Sequence, residues 1–156
     1  MRGLFVTLLL LGLPALAWPA DAPAGHVIKV LPLLLNLQGQ DATSPSLFDR
    51  DVYQAYLRQH TNEISAIRFD VLWKAADVGE AKLKLRVDLS GSGSGGTPYQ
   101  TVLEQGVAPG HFRRWTSLTL ADTNYPQLGK LLAWRVTLWA DDRLLSEQKS
   151  KESFLW

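Results

Sequence analysis

Residues 64–74 read Ile64-Ser65-Ala66-Ile67-Arg68-Phe69-Asp70-Val71-Leu72-Trp73-Lys74, and they decide the fold. On an extended chain Ile67, Phe69, Val71 and Trp73 fall on one side, and Arg68, Asp70 and Lys74 on the other. Alternation of period two over such a length marks a half-buried antiparallel strand, because successive side chains point to opposite faces of a sheet. Ala81–Ser90 repeats the pattern, with Leu83, Leu85, Val87 and Leu89 inward and Lys82, Lys84 and Arg86 on the wet face. The link between the two strands, Ala75–Glu80 with Gly79, suits a hairpin.

Further strands follow on both sides. His26–Leu37 is apolar and rich in β-formers, with Pro32 inside it. Proline cannot donate to a ladder, so this segment reads as an edge strand or a bulged one, open to strand addition by a partner. Tyr99–Glu104 and Phe112–Leu120 are separated by Gly106, Pro109 and Gly110. Leu131–Ala140 places Leu132, Trp134, Val136 and Leu138 on one face and Arg135, Thr137 and Trp139 on the other. Asp141-Asp142 makes a tight turn into Arg143–Lys149. Gly91–Gly96 holds only glycine and serine and reads as a mobile loop tip, and Ala121–Gly129 as a loop. The end, Phe154-Leu155-Trp156, is apolar enough to be expected docked.

One segment breaks the pattern. In Ser46–Gln59, Phe48, Val52 and Tyr56 recur at helical spacing, with Ala55 beside them and Arg50, Gln54 and Arg58 elsewhere. Ser46 with Asp49 resembles a capping box, and Asp49, Asp51 and Arg58 suit the helix dipole. The expected fold is therefore all-β. It is an antiparallel two-sheet β-sandwich of immunoglobulin/fibronectin-like kind, with about seven strands and one short helix near residues 46–59. The resemblance is architectural. Trp73 and Trp134 suit the buried-tryptophan position, whereas the cysteine pair is missing. Leu120–Tyr125 is similar to the turn before a tyrosine corner, but Tyr125 stands several residues ahead of the next strand.

The first residues bear on location. Arg2 precedes an apolar run, Leu4–Leu16, broken by Thr7, Gly12 and Pro14, and Ala15-Leu16-Ala17 and Ala22-Pro23-Ala24 follow. That run is short of the roughly 20 residues a membrane-crossing helix needs. The expectation is a secretory signal over residues 1–24, a mature start between Trp18 and Gly25, and one domain over residues 25–156. The chain has no cysteine, so it lacks both disulfides and a lipoprotein attachment residue, and it has no Asn-x-Ser/Thr sequon. Together these point to a bacterial periplasmic or extracellular protein without a transmembrane anchor. The net charge of +1, with no basic stripe, argues against nucleic acid.

The residues give little chemistry. His26, His60 and His111 lie far apart with no metal-ligand spacing, and no nucleophile elbow is present. Asp49 with Asp51 suits a helix start better than a calcium loop, and Asp141-Asp142 suits a turn. No catalytic residue, metal or cofactor is expected. The tryptophans say more. Trp115 shares its face with Arg113, Ser117 and Thr119, and Trp139 shares its face with Arg135 and Thr137, where alternation calls for polar residues. Either the helix or a loop covers both indoles, or Trp115, Trp139, Arg113 and Arg135 form a platform for a sugar ring or a partner's loop. The expected function is non-enzymatic binding of an envelope protein or glycan. A hydrolase with carboxylates assembled only in the fold is the alternative, and a small outer-membrane barrel the less favoured one.

Overall fold

A computed structural model describes residues 24–151. The expected signal over residues 1–24, all but its last residue, and the expected docking of Phe154-Leu155-Trp156 lie outside the described residues. The described part is mostly β. Its strands are β1 (Gly25–Asn36), β2 (Ile64–Ala75), β3 (Leu83–Gly91), β4 (Tyr99–Val107), β5 (Gly110–Leu120), β6 (Leu131–Ala140) and β7 (Arg143–Lys149). Helices α1 (Leu47–Gln59) and α2 (Asn124–Leu128) complete it, with single 3₁₀ turns at Thr61–Glu63 and Ser94–Gly96. Two antiparallel sheets form, in the orders β1-β2-β5 and β4-β3-β6-β7.

The expected hairpin between residues 64–74 and 81–90 is not made: β2 and β3 belong to different sheets. The link crosses from one layer to the other, anchored by buried Val78 and turned by positive φ at Asp77 and Gly79. The physical reason is that both strands carry a full apolar row. Each row is buried best against the opposite layer rather than side by side. Phe69, Val71 and Trp73 of β2 meet Leu85, Val87, Trp134, Val136 and Leu138 of the second sheet in one core. Phe69 and Trp134 pack edge to face with ring centres 6.2 Å apart, and Trp73 Nε1 donates to Thr116 Oγ1 at 2.9 Å.

Two expectations about local faces are corrected. Leu132 does not line the core, because the β3–β6 register slips between Ser90–Ala133 and Gly91–Leu131. That bulge turns Leu131 inward and leaves Leu132 exposed. The glycine–serine tract is also held over its first half. Gly93 N–H donates to Leu128 O at 3.0 Å and Ser92 N–H to Lys130 O at 2.9 Å. A Cβ on Gly91 would lie 2.0 Å from Leu128 O, so the strand end and the Leu128 turn fit only without a side chain there.

The largest correction concerns α1. Its span is as expected and Ser46 caps it, the hydroxyl accepting from Asp49 N–H. The Asp49 carboxylate does not return to Ser46 but accepts from Ser44 Oγ at 2.6 Å. The helix is also turned the opposite way round. Leu57 and Gln54 are buried, while Leu47, Phe48, Val52 and Tyr56 face solvent, Phe48 at 75 % exposure. Gln54 explains the orientation. Leu34 N–H donates to its Oε1 at 2.8 Å, and its Nε2 donates to Leu34 O and Asp41 O, both at 2.9 Å. The side-chain amide thus satisfies the unpaired edge of β1 as a neighbouring strand would. Further along, Val27 N–H donates to Ser146 Oγ at 3.0 Å, and Gln148 Nε2 donates to Val27 O at 3.2 Å. Pro32, between these two points and in phase with Leu34, has no N–H to offer. The β1 edge is therefore bonded by side chains at its two ends, around Val27 and at Leu34.

Candidate functional site

The four residues singled out in the sequence separate into two pairs. Trp115 and Arg113 stand on β5, and Trp139 and Arg135 on β6, in different sheets. Their neighbours of opposite parity, Leu118 and Leu120 in β5 and Val136 and Leu138 in β6, point into the core. The two tryptophans therefore stand on opposite outer faces of the sandwich, and no small ligand touches both. Neither is covered by α1, which packs against β1. Trp115 is 52 % exposed and Trp139 is half-buried.

On the face carrying Trp139, Lys84, Arg86 and Arg135 are paired with acids, whereas Lys149 opposite Arg135 makes no ion pair among the described residues. Arg86 pairs with Asp88 at 2.7 Å and with Glu104 at 3.4 Å, and Lys84 pairs with Glu104 at 3.1 Å. Arg135 reaches Asp88 at 3.2 Å and Glu147 at 3.8 Å. The Asp88 hydrogen bond, helped by the nearby charges of Asp88 and Glu104, holds the Arg86 pKa above its ordinary value. Trp139 Nε1 donates to Thr137 Oγ1 at 2.8 Å, and Thr137 is buried although its parity is outward. A shallow groove of about 920 Å³ runs over this sheet past Asp88, Gln100, Val102 and Arg135. Its arginines already have carboxylate partners.

The face carrying Trp115 differs. At one end Arg68 is held by Asp70 at 2.9 Å and by Asp41 at 3.3 Å, and Ser117 Oγ donates to Asp70 at 2.6 Å. Burial works to lower the Arg68 pKa, and the two aspartates more than offset it. Beyond that cluster, the cross-strand rows are Lys29–Leu72–Trp115 and His26–Lys74, with no acid in either. Neighbouring strands lie about 4.8 Å apart, so Lys29 and Trp115 flank Leu72 at about 10 Å from each other. Between the pairs Trp73–Arg114 and Ala75–Gly110, β5 carries three residues opposite one of β2. This bulge interrupts the alternation. Arg113 sits in it, and Phe112 is pushed out to 82 % exposure. Among the described residues no ion pair engages Lys29, Lys74 or Arg113.

Sequence reasoning missed Lys29, Lys74 and Phe112 as members of this patch. Lys74 was legible as a wet-face residue. The strand register that brings Lys29 across to Leu72, and the bulge that exposes Phe112, are set by pairing and leave no local trace.

Other polar residues make local contacts. His60 stacks on Tyr56 with ring centres 3.9 Å apart, and its Nδ1 lies 2.9 Å from Tyr56 O. The hydrogen bond to Glu63, with a little burial, raises the Tyr56 pKa. Asp141 Oδ1 accepts from Lys82 N–H at 3.1 Å in the β6–β7 corner. Among the described residues no three potential ligands cluster to hold a metal ion, and no helix is long and apolar enough to cross a membrane. No family model, curated protein or solved structure matches the chain.

Proposed function

We propose that this chain is an exported, non-enzymatic binding domain of the bacterial envelope, and that its partner is an acidic glycan held on the Trp115 face. The observation that carries the reading is the contrast between the two outer faces. On one, Lys84, Arg86 and Arg135 each have a carboxylate, and Lys149 makes no ion pair among the described residues. On the other, Lys29 and Lys74 stand in the row of a half-exposed indole and the row next to it, Arg113 lies in the adjoining bulge, and none of the three makes an ion pair among the described residues. An indole face offers stacking to a sugar ring, and cations around it offer charge-assisted hydrogen bonds to carboxylate groups on that ring. We also infer that the sandwich is of immunoglobulin/fibronectin-like kind. In support, the first, second and fifth strands form one sheet, and the fourth joins the third, sixth and seventh in the other.

The test is calorimetric titration of the chain from Gly25 onward with a uronate oligosaccharide and a neutral maltooligosaccharide of equal length. The uronate should bind, weaken with added salt, and lose about tenfold in affinity, or roughly 1.4 kcal/mol, in Trp115→Ser and in Lys74→Gln. Absence of uronate binding at low salt, or variants that bind as well as the parent, would overturn the assignment.

A further inference from the structure

Two exposed apolar side chains near the Trp115 face have no part in holding a sugar. Both arise from bulges, and both bulges lie at the same end of the sheet. Strand β1 carries Ile28 as an extra residue between the pairs Val27–Trp73 and Lys29–Leu72. Strand β5 carries extra residues between the pairs Trp73–Arg114 and Ala75–Gly110, and Phe112 is one of them. The end of β2 thus has a bulge on either side, about 10 Å apart across the three strands. Each bulge leaves an apolar side chain in water, and Phe112 is the most exposed large apolar residue among those described. A bulge re-aims the side chains it carries.

The exposure of Phe112 decides what it meets. A sugar stacks on one face of a ring, and protein packed behind that ring holds it still for stacking. Phe112 is 82 % exposed, so its ring has no such wall. A projecting apolar ring is covered on all sides only by an apolar medium. The charges around it point the same way. From Gln105 to Thr116 the chain holds His111, Arg113 and Arg114 and no acid. Lys29, Lys74 and Arg113 make no ion pair among the described residues. Aromatic rings interleaved with cations suit the boundary of an anionic lipid layer, where the rings enter and the cations stay among the head groups.

We propose, resting on the glycan reading above, that the acidic glycan of this face is the head group of a membrane glycolipid. Trp115, Lys29 and Lys74 hold the acidic sugar, and Phe112 enters the acyl boundary of the layer that carries it, with Ile28 at the same end of the sheet. A free glycan would leave Phe112 bare. An anionic layer without sugars would leave the Trp115 indole without a ring to stack on.

The experiment uses the chain of the uronate titration with phosphatidylcholine vesicles. These carry, at equal mole fraction, glucuronosyl diacylglycerol, galactosyl diacylglycerol or phosphatidylglycerol, and binding is read by co-sedimentation. The glucuronosyl vesicles should bind at least about tenfold more tightly than either of the others. Phe112→Ser should lose about tenfold or more on glucuronosyl vesicles, and Phe112→Leu should keep the parent affinity. Both variants should bind soluble uronate oligosaccharide as the parent does, whereas Trp115→Ser should lose both activities. With uronate binding intact, vesicle affinity unchanged in Phe112→Ser would overturn the lipid-borne head group and leave the glycan reading standing. So would phosphatidylglycerol vesicles that bind as tightly as glucuronosyl ones. A parent chain that binds neither soluble uronate nor glucuronosyl vesicles would overturn the glycan reading, and this inference with it.

Discussion

Gln54 is the residue on which the reading of sequence and structure diverge most. Its neighbours Phe48, Val52 and Tyr56 make the stripe that periodicity would turn inward, yet the amide is the buried group and the stripe faces water. The cause is an accounting of backbone groups. An edge strand with an unpaired N–H and C=O loses about 1–3 kcal/mol for each group buried without a partner. One glutamine satisfies both groups on Leu34, and a carbonyl of the preceding loop besides. Helical span and cap were legible in the residues. Orientation was not, because the signal for it is a hydrogen bond to a strand 20 residues away. Gln54→Ala should accordingly cost about 2–4 kcal/mol of stability in urea denaturation. Phe48→Ala should stay within about 0.5 kcal/mol. The reverse order would mean that the helix packs by its apolar stripe after all. Arg68 departs in the same way from a plain wet-face residue. Its bonds to Asp70 and Asp41 tie the loop before α1 to β2, so Arg68→Ala should destabilise by about 1 kcal/mol or more, measured in the same titration.

At the scale of elements, strand existence was legible nearly everywhere. The Leu131–Ala140 and Arg143–Lys149 strands begin and end where alternation and the Asp141-Asp142 turn place them. What alternation could not supply was pairing. A bulge changes the face of every residue beyond it, and it arises from how two strands meet rather than from either alone. Leu131 and Leu132 make this testable. Simple alternation buries Leu132, whereas the slip opposite Gly91 buries Leu131. Leu131→Ala should cost about 2–5 kcal/mol and Leu132→Ala within about 0.5 kcal/mol, read from thermal or chemical denaturation. The crossing link after β2 escaped for a related reason. Two adjacent alternating strands suit a hairpin or a sandwich corner equally well, and only the competition between their apolar rows for the opposite layer decides.

For the whole molecule, the question is what the two outer faces of one sandwich are for. Composition put tryptophan on polar rows of both, and that much was legible. The two faces then differ in how their charges are arranged, which depends on which strands lie side by side. On the β6 face, Asp88 and Glu104 each take two cations, and Trp139 covers Thr137 while bonded to it. In such a lattice most charges are paired within the face, and the indole is part of the packing. On the β5 face the cations repel one another with no acid between them, a small cost in stability that a bound anion would relieve. The two tryptophans should therefore respond differently to the same change. Trp139→Ser removes a hydrogen bond and uncovers a buried hydroxyl, so it should lower stability by about 2 kcal/mol and leave uronate binding intact. Trp115→Ser should leave stability within about 0.5 kcal/mol of the parent and remove most uronate binding. Raising the salt concentration should weaken uronate binding. Melting curves and titrations of the two single variants at two ionic strengths measure all of this. If Trp115→Ser costs as much stability as Trp139→Ser, both indoles are packing and the basic face has lost its distinguishing feature.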